Sequence, residues 1–356
     1  MIGLAAAVSL SDRGLDVTCF ERAAPGDGQS AGRTRQFRHL HREAELIELA
    51  TRARTGWVQW GERFERTLLG SEGALRVGAQ PGELDALRAA GVPAVVLGSD
   101  EADERFPIAA LPPGILLFDP LAGAIRAQES IAALAADLGP RLREAQVSSL
   151  VVDGDSVTVT TDSGVHRSAR CVVAAGAGTD RLVRPLGLDV HQDRQAHLRL
   201  AFRVRAAAVP PLPCFSDRTG DPELIYALSD LGDRYAVGLA EVTTYPAVED
   251  LARDVPAAAD VSSQRARIVS YVRRVLPGLD PAPVDEVFRL TTTTPDHPDD
   301  GFRIWRAGPI AAAAGPNLFK FAPVIGEQLA GAVADEPLGR DESLSAPRGT
   351  PAAPSR

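Results

Sequence analysis

The sequence predicts a mixed α/β fold in which a Rossmann-like dinucleotide-binding domain is interleaved with a second domain of mostly antiparallel β-sheet. Three observations indicate this. The chain opens on an Ala-rich helical segment, residues 2–13, followed by a short strand that ends at Glu21. A buried-looking strand, residues 171–174, runs directly into small residues, as close backbone approach to a cofactor requires. From Leu188 onward, half-exposed alternating strands predominate.

Glu21 stands where a Rossmann unit has the acidic residue that accepts hydrogen bonds from an adenosine ribose. Such a unit normally opens with a strand and Gly-x-Gly-x-x-Gly, about 20 residues before that acid. Glu21 lies 18 residues after Gly3, which matches the third glycine. We therefore expect the first strand and the first two glycines to be missing, through shortening of the N-terminus. The alternative is an ordinary helix and strand that start at a true Met1.

Composition excludes several classes of function. The 356 residues include 38 basic and 47 acidic side chains, a net charge of −9, which argues against non-specific nucleic-acid binding. The 3 cysteines are widely spaced, so neither a disulfide framework nor a structural metal site is expected. There is no signal peptide and no apolar run of about 18 residues. We expect a cytoplasmic protein without membrane or nucleic-acid partners, a monomer or weak homodimer, with a disordered tail at 341–356.

Two arginines follow the loop at 22–34, whose small residues let backbone N–H groups approach an anion. Arg35 and Arg38 have the spacing that would place them on one face of a helical turn. An anion between them would offset their repulsion. The alternative is a solvated basic face paired with Glu43 and Glu45.

The C-terminal motif, AAAAGPNLFKFAPVIGE, begins in a Gly-Pro turn and includes one buried-looking cation, Lys320. It then enters an Ala-rich helix near Pro323. The positive end of a helix dipole is therefore expected close to this lysine.

Four segments together resemble the FAD-dependent D-amino-acid oxidase superfamily, nearest the monomeric sarcosine and N-methyl-amino-acid oxidases. They are IGLAAAVSLSDRGLDVTCFER, GRTRQFRH, CVVAAGAGTDRLV, and TTTTPDHPDD with the C-terminal motif. They occur in the family's order and span nearly the whole chain. The resemblance implies an FAD-binding domain made of residues 1–75, 125–187 and 300–337. It implies a substrate domain made of residues 76–124 and 188–299.

The resemblance also assigns residues. Arg38 and Lys320 match the pair that holds a substrate carboxylate, and Arg35 matches an arginine close to the flavin ring. The expected cofactor contacts run from the pyrophosphate and ribose to the isoalloxazine: Gly3, Glu21, Arg22, Ser30, Thr34, Arg35, Val147, Gly176, Gly315, Leu318, Phe319 and Lys320.

The chemistry agrees with these assignments. An amino acid presents a carboxylate, which an arginine and a lysine hold well. Positioning the reacting carbon is most of what the site must do, because the flavin supplies the hydride chemistry. The expected reaction oxidises a C–N bond to an imine, with reoxidation by O2 giving H2O2.

Three positions depart from the family pattern. Arg289 stands where sarcosine oxidases have a flavin-linked cysteine, so we expect non-covalent FAD. Ala236 replaces the lysine that promotes reaction with oxygen, so oxygen reactivity should fall unless Arg234 or Arg35 substitutes. Ala31 stands where a histidine is expected, which makes sarcosine an uncertain substrate.

Other functions remain open at this point. One is a flavin dehydrogenase or tailoring enzyme that uses another electron acceptor, which Ala236 favours. A second is a degenerate, non-catalytic relative without an intact FAD cradle. A third is an NAD(P)-dependent reductase, but that enzyme needs an intact glycine fingerprint and does not explain FKF or TTTTPD.

Overall fold

The structure is a computed structural model that describes residues 1–41, 43–205, 211–220, 224–240, 243–245, 258–297, 300–334 and 344–345. Within these residues the helices are α1 (Ile2–Asp12), α2 (Ala44–Arg63), α3 (Glu83–Ala89), α4 (Ser99–Arg105), α5 (Ala127–Leu138), α6 (Thr179–Val183), α7 (Ala258–Val275) and α8 (Ala322–Ala334).

The strands of the described residues are β1 (Cys19–Glu21), β2 (Thr34–Phe37), β3 (Ala74–Val77), β4 (Val95–Val96), β5 (Leu116–Asp119), β6 (Gly123–Arg126), β7 (Leu142–Glu144), β8 (Val147–Asp153), β9 (Ser156–Thr161), β10 (Gly164–Ser168), β11 (Cys171–Val173), β12 (Asp193–Arg203), β13 (Cys214–Asp217), β14 (Ile225–Ser229), β15 (Arg234–Leu239), β16 (Thr243–Tyr245), β17 (Asp285–Thr293), β18 (Arg303–Ala307), β19 (Ile310–Ala314) and β20 (Leu344–Ser345).

The largest sheet has nine strands in the order β16-β12-β15-β14-β13-β3-β5-β4, with β17 also paired to β12. Most of its neighbours are antiparallel, and β3 with β13 is a parallel pair. Successive side chains of a strand point to opposite faces, so each strand contributes to two surfaces. One face packs into an apolar core with α7, whose buried members include Leu75, Leu200, Phe215, Val237 and Ile268.

The opposite face, here called the polar face, presents a row of directly paired residues across five strands. Arg76 lies opposite Ser216, and Ser216 lies opposite Tyr226. Tyr226 lies opposite Gly238, which lies opposite Arg199. Gly238 leaves room for the tyrosine ring, because a Cβ atom there would lie 2.6 Å from Cζ of Tyr226.

Helix α1 packs against α8 and α5. The approach to α8 is close, since a Cβ atom at Gly326 would lie 2.7 Å from the carbonyl carbon of Ala5. Nearby, β1 pairs in parallel with β7, and β11 pairs in parallel with β19. Helices against short parallel strands are typical of a Rossmann-like unit.

The predicted mixed α/β fold is confirmed. Glu21 ends β1 as expected, and strands β8, β9 and β10 form a separate antiparallel sheet. The boundary expected between residues 75 and 76 falls inside β3, all of which belongs to the nine-stranded sheet, and the boundary at 125 falls inside β6. The two-domain division itself stays a prediction, as does the strand expected before Met1.

The helical turn suggested for Arg35 and Arg38 is wrong. Arg35 lies in β2, which pairs with β6, and Arg38 follows that strand. In the tail, Leu344–Ser345 pairs with β18 where disorder was expected, and the rest of 341–356 lies outside the described residues. Among the residues that the structure describes, no helix is long and apolar enough to cross a membrane.

Candidate functional site

One cavity of about 2680 Å³ brings together most of the residues that the sequence singled out. It is larger than the roughly 300–1,000 Å³ of a typical small-ligand pocket, as expected where an extended dinucleotide and a substrate share one space. Its lining includes Gly3, Glu21, Arg22, Ser30, Arg35, Arg38, Val147, Gly176, Gly315, Leu318, Phe319 and Lys320.

Thr34 is the exception. It is buried at the start of β2 and does not line the cavity. Its hydroxyl donates to Oδ1 of Asp230 at 3.2 Å, and its carbonyl accepts from Nη1 of Arg199 at 3.0 Å. These contacts join Thr34 to Asp230 and to Arg199 of β12, and a cofactor contact from Thr34 stays a prediction.

One end of the cavity has the features of an adenosine site. Glu21 lies at the end of β1, with a carboxylate oxygen 3.0 Å from the backbone nitrogen of Arg22. Gly3 lies in the first turn of α1, whose N-terminal N–H groups favour an anion. The carbonyl of Val147 accepts from Nη2 of Arg181 at 3.4 Å.

Two glycines make the cavity wall fit an extended cofactor. Gly176 has a φ of +58°, and a Cβ atom there would lie 2.2 Å from Oε1 of Gln29. Gly315 has a φ of +150°, and its Cβ atom would lie 2.6 Å from the carbonyl oxygen of Gly301. A side chain at Gly315 would also meet Phe302, so this part of the wall packs closely enough to require glycine. An acidic end, a helix N-terminus and a backbone-lined wall in one cavity suit FAD.

The segment Leu318–Phe321 is a 3₁₀ helix held in place by aromatic contacts. Trp57, fully buried on α2, stacks on Phe319 with ring centroids 6.1 Å apart. Its Nε1 donates to the carbonyl of Lys320 at 2.8 Å. The guanidinium of Arg35 lies 5.1 Å from the Phe319 ring centroid and donates to the Ala31 carbonyl at 2.7 Å.

Lys320 and Arg38 converge on one carboxylate. Lys320 Nζ lies 3.3 Å from Oδ1 of Asp300, and Arg38 Nη2 lies 3.1 Å from Oδ2. The lysine side chain is 6% exposed and the aspartate 18%. Arg38 thus pairs with Asp300, not with Glu43 or Glu45 as in the alternative considered from the sequence.

His41 completes this group, which we call the Asp300 cluster: Arg38, His41, Asp300 and Lys320. Nδ1 of His41 lies 2.5 Å from Oδ2 of Asp300. Burial, together with the charges of Lys320 and Arg38, lowers the pKa of His41 to about 3. The imidazole is therefore neutral at pH 7 and donates from Nδ1 to the carboxylate.

The pKa values of Lys320 and Asp300 both fall below their usual ranges, for different reasons. Burial lowers the pKa of Lys320 to about 7, although Asp300 opposes part of that change. Burial would raise the pKa of Asp300, but Lys320, His41 and Arg38 hold it well below its usual range. Asp300 is thus ionised, and Lys320 changes its charge near neutral pH.

A second buried cation faces the cavity from the polar face. Arg199 is 3% exposed, lines the cavity and donates to the Thr34 carbonyl. Burial lowers its pKa, but an arginine keeps its charge at any physiological pH. Arg234 does not line the cavity, and its Nη1 lies 3.4 Å from Oδ2 of Asp285.

Sequence reasoning missed several of these residues. Asp300 ends the quoted TTTTPDHPDD motif, but nothing in its spacing links it to Arg38. His41 is three residues after Arg38, which was a usable signal for a shared site. Arg199 lies in the quoted strand HLRLAFRV, where alternation alone does not distinguish a cavity from solvent.

A family model described as FAD dependent oxidoreductase, DAO, matches residues 1–332. The human peroxisomal sarcosine oxidase is 29% identical over 322 residues, 85% of this chain and 81% of that protein. N-methyl-L-tryptophan oxidase from Salmonella dublin is 25% identical over 361 residues, 96% of this chain and 94% of that protein.

Solved structures share the fold. NikD, an unusual amino acid oxidase essential for nikkomycin biosynthesis, superposes with a TM-score of 0.79 at 24% identity, covering 98% of this chain and 97% of its own. The family match spans both the cofactor end of the cavity and the Asp300 cluster. This chain therefore belongs to the DAO family of FAD-dependent oxidoreductases.

Proposed function

We propose that this FAD-dependent oxidoreductase of the amino-acid oxidase type oxidises a C–N bond of an amino acid or secondary amine that bears a carboxylate. The amine becomes an imine, and O2 takes up the two electrons and two protons to give H2O2. The observation that supports this most directly is the convergence of Arg38 and Lys320 in the cavity, next to Phe319. Because the family is FAD-dependent, an NAD(P)-dependent reductase is no longer an alternative.

Charge in the Asp300 cluster suits one incoming carboxylate. Two cations, Arg38 and protonated Lys320, face a single anion, Asp300, while His41 is neutral. The cluster therefore has one excess positive charge in a largely buried site. An ammonium group has three N–H donors, and the contact to Asp300 uses one of them. A substrate carboxylate would satisfy both the excess charge and the remaining donors.

The surrounding residues hold Lys320 and the Phe319 ring in place. Trp57 holds the backbone of Lys320, and Arg35 holds the loop at Ala31 while it covers Phe319. Bound FAD would accept the electrons from the substrate. The contribution of the protein is then to anchor the carboxylate, and anchoring in a reactive pose can account for much of the rate increase.

We infer that FAD binds without a covalent link. Arg289 replaces the expected cysteine, and its side chain lies outside the description. Cys19 and Cys171 line the cavity, but burial raises the pKa of Cys19 to about 11 and that of Cys171 to about 12. Both thiols are therefore protonated at neutral pH and are weak nucleophiles.

For the electron acceptor, Arg199 supports O2. Arg199 pairs directly with Gly238 of β15. Ala236 is two residues before Gly238 in β15, so Ala236 and Arg199 lie close together on the polar face. A buried positive charge at this place stabilises the negative charge that develops on oxygen during reduction. We propose that Arg199 provides the cation that Ala236 lacks, in place of Arg234 or Arg35.

The purified, FAD-reconstituted protein should show flavin absorption near ~450 nm that acid precipitation releases into the supernatant. Anaerobic addition of N-methyl amino acids should bleach it, and air should restore it with H2O2. Pigment that stays with the precipitate would contradict non-covalent binding. A flavin that no carboxylate-bearing amine bleaches would leave the degenerate relative as the better account.

The affinity for an unreactive carboxylic acid such as butyrate should fall as pH rises through about 7, the pKa of Lys320. The change that the bound acid causes in the flavin spectrum measures this affinity. The lysine is cationic below that pH and neutral above it, whereas the acid stays ionised throughout. Lys320→Met should bind about ten-fold or more weakly at low pH, without this pH dependence. Lys320→Arg should flatten the profile while retaining affinity. A wild-type profile that does not change across pH 7 would remove Lys320 from the carboxylate site.

Arg199→Met should slow the reaction of the reduced enzyme with O2 by about ten-fold or more, with little effect on anaerobic reduction by substrate. Arg199→Lys should recover part of the rate, because it keeps the positive charge. Arg234→Met, which removes ion pairs with Asp285 and Asp230, tests the other candidate cation and should react normally. Arg203→Met, which removes an exposed ion pair with Asp233, is the surface control. Slow reoxidation of the wild-type enzyme would favour a different acceptor, and equal effects of the Arg199→Met and Arg234→Met variants would contradict a specific role for Arg199.

A further inference from the structure

Arg76 is a cavity residue that the proposed reaction does not use. It lies in β3 and points to the polar face, since its neighbours Leu75 and Val77 are buried in the opposite core. Its side chain is 14% exposed and lines the same cavity as Lys320 and Arg38. A guanidinium in this position is largely removed from bulk water and faces the space available to a substrate.

Two arginines and one glutamate act on the charge of Arg76. Burial, together with the nearby charges of Arg38 and Arg218, lowers its pKa to about 10, although Glu83 opposes part of that change. Glu83 is its hydrogen-bonded partner in the described residues, with Oε1 2.8 Å from Nη1. The other oxygen of Glu83 accepts from the backbone nitrogen of Gln80 at 3.0 Å.

The Glu83 carboxylate therefore binds both the loop at Gln80 and the Arg76 guanidinium. Arg38 and Arg218 lie close enough to affect the charge of that guanidinium. Grouped guanidiniums repel one another, and this repulsion is strongest where burial reduces the screening by water. An anion placed among them removes this cost. Arginine forms paired hydrogen bonds to a carboxylate, and Glu83 contacts only one terminal nitrogen of Arg76.

The row of paired residues on the polar face runs from Arg76 to Arg199. Ser216 and Tyr226 are the next paired residues after Arg76, and Tyr226 lines the cavity. Gly238 gives the tyrosine ring its space. The polar face thus lines the cavity that also contains Lys320, with Arg76 at the end of the row away from Arg199.

We propose that Arg76 binds a second anionic group of the substrate, a side-chain carboxylate, so that the preferred substrates are amino acids or secondary amines with two carboxylates. This inference rests on the proposed function, in which the first carboxylate binds at Arg38 and Lys320. The alternative is that Arg76 serves structure alone, by holding Glu83 and its loop.

The test compares N-methylglutamate with N-methylglutamine, which have nearly the same shape but differ by one charge. For the wild-type enzyme, kcat/KM should be about ten-fold or more higher for the acid, the size expected for one charge-assisted contact. Arg76→Met should remove this preference by lowering kcat/KM for N-methylglutamate alone. Arg76→Lys should recover part of it. Arg203→Met, which removes an exposed ion pair with Asp233 outside the cavity, should behave as wild type.

A binding measurement keeps the two proposals separate. Glutarate should bind to the FAD-loaded wild-type enzyme about ten-fold or more tightly than butyrate, and Arg76→Met should lose that difference. If N-methylalanine is oxidised but the wild type prefers neither N-methylglutamate nor glutarate, the second carboxylate site is wrong and the proposed function stands. Equal losses for N-methylglutamate and N-methylglutamine in Arg76→Met would show a structural role only. If no amine reduces the flavin while the glutarate preference is present, the oxidase proposal fails and the anion site stands.

Discussion

The structure of the site depends on one largely buried carboxylate. Asp300 contacts Lys320, Arg38 and His41, three side chains from two separate parts of the chain. Without an anion, two cations in a largely buried place would repel each other and lose hydration. Asp300 offsets one of those charges and leaves the other for a ligand. The same ion pairs hold the loop after β2 against the 3₁₀ helix at Leu318–Phe321.

The positions of Arg199 and Arg76 follow from the alternation of side chains between the two faces of the nine-stranded sheet. Along the row of paired residues, each strand gives one residue to the polar face, while its neighbours on either side pack into the core with α7. Arg199 and Arg76 therefore project towards the cavity from a well-packed layer. A rigid sheet with a buried core positions these charges better than a loop would, which suits an enzyme whose main task is to orient its substrate.

The signals at the expected cofactor end are local, and the structure places the residues that carry them in one cavity. Glu21 follows its helix and strand at the usual distance, and Gly176 follows its strand directly. Arg38 and Lys320 came from the resemblance to a family, and the structure brings them together. Asp300 could not be predicted, because its pair with Arg38 spans 262 positions and follows no periodicity. Arg35 and Arg38 were misjudged because their spacing fits a helical turn as well as the end of a strand.

The central claim is that the Asp300 cluster is where the substrate carboxylate binds. A crystal structure of the FAD-loaded protein with a bound carboxylic acid tests this most directly. The account predicts a carboxylate oxygen within hydrogen-bonding distance of Lys320 Nζ and the other oxygen facing Arg38, with Asp300 still in contact with His41. A carboxylate bound elsewhere in the cavity, with Lys320 and Arg38 still held by Asp300 alone, would contradict it.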